Sequence, residues 1–163
     1  MSKYGLQVAV KHGEKLKEFK DIIAAEDYFF SYKEYLLNKL ETISKQQAVF
    51  CFSPDYTVES LKKIEKWYFD LYEKNEFNTV GLTQEEFESI ISIYFGEVVV
   101  RNNEHAKWFV EEYPFSPRKY ELFVNKGLLN MSIINKFHGL CKRQNNKRRN
   151  LLFREYNKYF VRL

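Results

Sequence analysis

Few residues in this chain punctuate it, and few carry chemistry by themselves. Its 163 residues include two Cys, three Pro, six Gly and three His. Cys51 and Cys141 stand at a spacing that matches no metal motif, and two thiols cannot make a disulfide framework. The glycines sit singly, so neither GxGxxG nor GxxxxGK[ST] occurs, and there is no phosphate-cradling loop. GxSxG and HExxH are absent as well. His12, His105 and His138 are scattered, whereas a zinc site needs three or four converging ligands. No apolar run approaches the length of a membrane span. The N-terminus MSKYGLQVAVKHGEK lacks the apolar core and cleavage site of a secretion signal. These absences predict a cytoplasmic protein with reduced thiols, no cofactor, no metal and no membrane contact.

What is present is aromatic and charged. Hydrophobic residues make up 45% and charged residues 29%, a globular composition, and 15 Phe and 12 Tyr raise the aromatic share to 18%. Rings on that scale predict a core built from them rather than from small aliphatics. The net charge of +4 is unevenly spread. Residues 131–163 carry nine Lys or Arg against Glu155 alone, whereas the first 130 carry 17 basic and 21 acidic residues.

The best-marked stretch is residues 82–110, LTQEEFESIISIYFGEVVVRNNEHAKWFV. Thr83 is an N-cap whose hydroxyl can accept a first-turn N–H, and Glu86 can complete a capping box. Leu82 and Phe87 stand at hydrophobic-staple positions, and Phe87, Ile90, Ile91 and Tyr94 keep the spacing of one helix face. Gly96 then reads as the helix stop. Beyond it the period changes to two, predicting a strand at 97–101, a turn at 102–105 and a return strand at 107–112 with Trp108 as a core ring. Residues 113–117 hold two prolines and predict a connection. Tyr120, Leu122 and Val124 alternate on one side of a strand at 119–124, and a turn at 125–127 leads to a fourth strand at 128–133.

Before this stretch, residues 4–11 alternate loosely as a short strand or extended lead-in. Helices are predicted over about 14–25, 27–43 and 58–72, with a short apolar run at 48–52 as a strand or buried connection. After the meander, 134–141 resumes a helical pattern, 142–150 is a basic loop and 151–160 a last helix. The expectation is one α+β domain over residues 1–163. N-terminal helices pack on a three- to four-stranded antiparallel meander, followed by one or two C-terminal helices.

Two surfaces stand out as candidate partner sites. One is acidic: Glu85, Glu86, Glu88, Glu104, Glu111 and Glu112. The other is basic: Lys142, Arg143, Lys147, Arg148 and Arg149, followed by Tyr156 and Tyr159, a mixture that can contact phosphates and bases. Cys141 and His138 form an i, i+3 pair, but a nucleophile also needs an oriented base and an oxyanion hole, so the pair reads as structural.

The segments ISIYFGEVVVRNNEHAKWFVEE, YELFV and SIINKFHGLCKR resemble a pattern in small bacterial proteins of the immunity-protein type. There, a helix ending in Tyr-x-Gly-Glu enters a hairpin with Trp on its second strand. The matching residues are Tyr94, Gly96, Glu97, Val98, Trp108, Tyr120 and Leu122. Here Asn103-Glu104-His105-Ala106 replaces the small turn that the pattern has before the Trp, and the first 80 residues lie outside it. The resemblance implies a non-enzymatic bacterial protein that binds and neutralises a toxin domain through one of the charged surfaces. The alternative is a nucleic-acid-binding or regulatory protein using residues 142–149.

Overall fold

The computed structural model describes residues 2–46, 52–143 and 149–161. They build an α+β fold of five α-helices and one three-stranded antiparallel sheet. The helices are α1 (Lys3–Glu14), α2 (Ile22–Gln46), α3 (Ser60–Lys74), α4 (Gln84–Asn102) and α5 (Leu151–Tyr156), with a π-helical turn at Asn157–Val161 closing the described chain. The strands are β1 (Lys107–Glu112), β2 (Tyr120–Lys126) and β3 (Leu129–Ser132), in that spatial order.

α4 is the central element. Its predicted start is present in full: Thr83 Oγ1 accepts the Glu86 N–H and Glu86 Oε2 accepts the Thr83 N–H, each at 3.1 Å. Such a cap is worth about 1 kcal/mol. Its predicted end is overturned. Gly96 does not stop the helix, residues 97–101 are not a strand, and the helix runs on to Asn102. The reason is close packing. A Cβ at Gly96 would lie 2.3 Å from Trp108 Cη2, so glycine is needed to seat that ring. Trp108 is half-buried there, and its Nε1 donates to Glu97 Oε2 at 2.8 Å. Val98 and Val99 are fully buried, so the apolar run reads as alternation only because the helix is enclosed on most of its circumference.

The sheet follows the predicted meander with one strand fewer. Trp108 pairs with Val124, Val110 with Leu122, and Val124 with Met131. Val110, Tyr120, Leu122, Val124 and Met131 form its buried face, toward α2 and α4. On the other face Phe109 and Phe123 stack across the β1–β2 pair at 5.2 Å.

The N-terminal third departs most from expectation. Residues 4–11 form α1 rather than a strand, capped by Ser2, whose Oγ accepts the Gly5 N–H at 3.0 Å. The helix expected at 14–25 is interrupted: residues 15–21 form a turn and bends around Glu18, which bridges to Lys119. Asp21 Oδ1 then accepts the Ala24 N–H at 2.9 Å and starts α2, one helix that takes in the end of the segment expected at 14–25 and all of the one expected at 27–43. Helix α3 matches its prediction closely, burying Leu61, Ile64, Trp67, Tyr68 and Leu71. Residues 134–141 form turns leading into a 3-10 turn at Leu140–Lys142 rather than a helix. Of the run expected at 48–52, only Phe52 is among the described residues, and it is buried.

Glu65 joins the first and last parts of the core. It is buried on α3, and its Oε1 accepts the Leu152 N–H at 3.0 Å, capping α5 from a neighbouring helix. Burial raises its carboxyl above the ordinary glutamate value, against the opposing pull of the backbone N–H groups of α5.

Candidate functional site

The acidic residues picked out by sequence do not gather on one surface. Glu85 and Glu86 lie exposed in the first turn of α4, and Glu104 lies beyond its last turn. A helix of 19 residues spans about 28 Å at about 1.5 Å per residue, so these two groups sit at opposite ends. Glu111 and Glu112 are exposed at the end of β1, where Glu112 Oε2 accepts the Arg118 N–H at 3.2 Å. Glu88 is not a surface residue at all; it is 2% exposed.

Glu88 anchors a buried polar network. Its Oε2 accepts the Tyr68 hydroxyl at 2.5 Å and the Gln84 amide at 3.2 Å. Its Oε1 accepts the Gly139 N–H at 3.1 Å and lies 3.7 Å from His138 Nδ1. The Cys141 N–H donates to the Tyr68 oxygen at 3.2 Å, and the Cys141 Sγ lies 3.2 Å from Gln84 Nε2. Burial, reinforced by the carboxylate, holds the Tyr68 hydroxyl protonated far above its ordinary range. The network therefore pins residues 137–143 onto α3 and α4. His138 faces Glu88 and Cys141 faces Gln84, so the i, i+3 pair serves that docking.

A shallow depression opens beside this network, lined by Thr83, Glu85, Glu88, His138, Gly139 and Lys142. Members of the acidic and basic sets thus share one groove, a juxtaposition that no local pattern signals. Among the other basic residues, Arg143 is exposed and donates to the Lys136 carbonyl at 3.0 Å, and Arg149 is exposed just ahead of α5. Lys147 and Arg148 lie outside the described residues.

A second concave feature lies elsewhere. A cavity of about 490 Å³ lies between the α1–α2 connection, α2, and the β2–β3 end of the sheet. That size falls within the range of small-molecule sites. Tyr28, Phe29 and Tyr32 of α2 and Tyr120 of β2 contribute rings to its wall. The Tyr28 and Tyr32 rings are parallel within 5° at 6.1 Å, and Phe29 meets Tyr28 edge-on at 5.3 Å. Burial raises the pKa of the Tyr32 hydroxyl. The polar side of the cavity holds Glu121, 8% exposed, whose Oε1 lies 2.9 Å from His12 Nε2 and accepts from Ser132 Oγ at 3.4 Å. Lys15 and Lys17 complete it from the connection.

Sequence reasoning missed this cavity because its wall is assembled from separate segments; His12 and Glu121 are 109 residues apart. The available signal was the ring cluster Tyr28-Phe29-Tyr32 following the lysine-rich run at 15–20. Among the described residues no three or more His, Cys, Asp or Glu gather as metal ligands, and no helix is long and apolar enough to cross a membrane.

No solved structure matches the chain. A protein of Bacillus subtilis (strain 168), described as uncharacterized protein YwmA, is 29% identical over 133 residues, covering 82% of this chain and 83% of the relative. The family model described as uncharacterised protein YwmA matches residues 18–160. That stretch takes in α2 to α5, all three strands and every wall of the cavity except His12, Lys15, Leu16 and Lys17, and the chain therefore belongs to the YwmA family.

Proposed function

We propose that this chain is a non-enzymatic binding protein whose partner is another protein, and that it acts as an immunity protein that occludes a toxin domain. The observation that carries this reading is the state of α1. Its only fully buried residue is Gly13, while Tyr4, Leu6, Val8 and Val10 are 76%, 47%, 51% and 39% exposed. The strip Gly5, Ala9, Gly13 lies toward the body, and Tyr113 donates its hydroxyl to the Ala9 carbonyl at 2.8 Å. A Cβ at Gly13 would fall 2.0 Å from Ser116 Oγ, so α1 approaches the β1–β2 loop closely along this strip.

A helix of twelve residues is marginal on its own, and apolar side chains held in water gain nothing there. On the helix Tyr4 and Val8 stand on one flank of that strip and Leu6 and Val10 on the other, so large apolar side chains are exposed on both sides of the contact, a feature of interaction surfaces. Lys3 and Lys11 outnumber Glu14 on the helix, so the matching partner surface is apolar with an acidic rim. The same helix lies outside the stretch matched by the family model, where a partner-specific element is free to differ among relatives.

The test is co-expression with the C-terminal domain of a toxin encoded beside this gene. The intact chain should restore growth, and the double variant Y4D/V8D, folded by circular dichroism, should not. Unrelieved lethality with the intact chain would overturn the immunity reading. Full protection by the double variant would overturn α1 as the docking element.

A further inference from the structure

We propose that the cavity between α2 and the sheet is a binding site for a small organic anion with an aromatic body, such as an aryl carboxylate. This goes beyond protein docking at α1 and rests on different residues. The ring wall is preformed. Phe19, on the connection, touches Tyr28 at 5.3 Å, Phe29 at 5.4 Å and Tyr120 at 6.0 Å, so the rings hold one another before any ligand arrives. Rings fixed at such angles offer stacking and edge contacts at little ordering cost.

The sign of the ligand follows from the charges around the rings. Among the described residues Glu121 is the one carboxylate lining the cavity, and its Oε1 is already engaged by His12 and Ser132. Against it stand Lys15 and Lys17, neither of which has a carboxylate within 4.0 Å among the described residues. Lys17 Nζ rests 4.2 Å from the centre of the Tyr28 ring, which holds the ammonium in place without neutralising it. An ammonium-bearing ligand would find that ring face occupied and two like charges beside it. An acid would find two unneutralised cations over an aromatic floor, the arrangement in which charge-assisted bonds form most readily.

A matched pair of probes isolates the sign: 1-naphthylacetate and 1-naphthylmethylamine share a ring system and differ in charge. Each is titrated calorimetrically into the full chain at low salt. The acid should bind at one site per chain, and the amine should bind at least about tenfold more weakly, a difference of about 1.4 kcal/mol. The surface variant K15Q/K17Q should weaken the acid about tenfold as well. Leu16→Trp, which fills the cavity from the connection, should abolish binding while Y4D/V8D leaves it unchanged. Equal or tighter binding of the amine, no acid binding at millimolar concentration, or acid binding indifferent to K15Q/K17Q would each overturn the proposal. Loss of acid binding in Y4D/V8D would place the probe on α1 and overturn it equally.

Discussion

α4 and α1 are the two extremes of this molecule. From Phe87 to Val99, α4 is buried on nearly every side, polar Glu88 and Ser92 included. α1 buries one glycine and turns its large apolar side chains to water. In neither helix do the large apolar residues mark one face from end to end. In α4, Glu97 to Arg101 alternates because valines are accommodated all round an enclosed helix. In α1 the face that packs is made of the small residues Gly5, Ala9 and Gly13, and Leu6, Val8 and Val10 alternate across its two flanks. Periodicity reports partial burial, so it fails at either limit.

That contrast can be broken in three ways. The largest effect belongs to Gly96→Leu. Glycine costs a helix about 1 kcal/mol relative to alanine, but here the added side chain would displace the Trp108 ring and its bond to Glu97. Overpacking of this kind should lower unfolding free energy by about 3 kcal/mol or more, read from urea titration. A neutral result would mean that Gly96 is a helix end after all. Next comes Glu88→Ala, which removes the acceptor of the Tyr68 hydroxyl and of the Gly139 N–H. Buried donors left without an acceptor should cost about 2–3 kcal/mol. The smallest is Val8→Ser on α1, which should change stability by less than about 0.5 kcal/mol, as for a surface site. A loss as large as that of Glu88→Ala would show α1 to be part of the core.

Much of the fold was legible where burial is one-sided. The capping box at Thr83, the inward face of α3 and the register of Tyr120, Leu122 and Val124 all follow from local spacing. The continuation of α4 was not legible, because Gly96 looks like a stop until Trp108 is placed against it from another strand. Glu88 was hidden for a related reason. In sequence it is one of three glutamates in the first turns of a capped helix, and only its position on the inward face separates it from Glu85 and Glu86. The cavity is less legible still, since its rings, lysines and carboxylate meet only through tertiary structure. The charge asymmetry of residues 131–163 is real in sequence, but at the α4 groove the fold mixes it with acid, where Lys142 lines the same depression as Glu85 and Glu88.

Native-state hydrogen exchange on the full chain, without partner, tests the contrast directly. Amides of α4 from Ile90 to Val99 should exchange only through global unfolding. Those of α1 beyond its first turn should open with free energies at least about 3 kcal/mol lower, the range of elements with little buried contact. Protection of α1 equal to that of α4 in the free chain would contradict the account, since α1 would then need no partner to hold it.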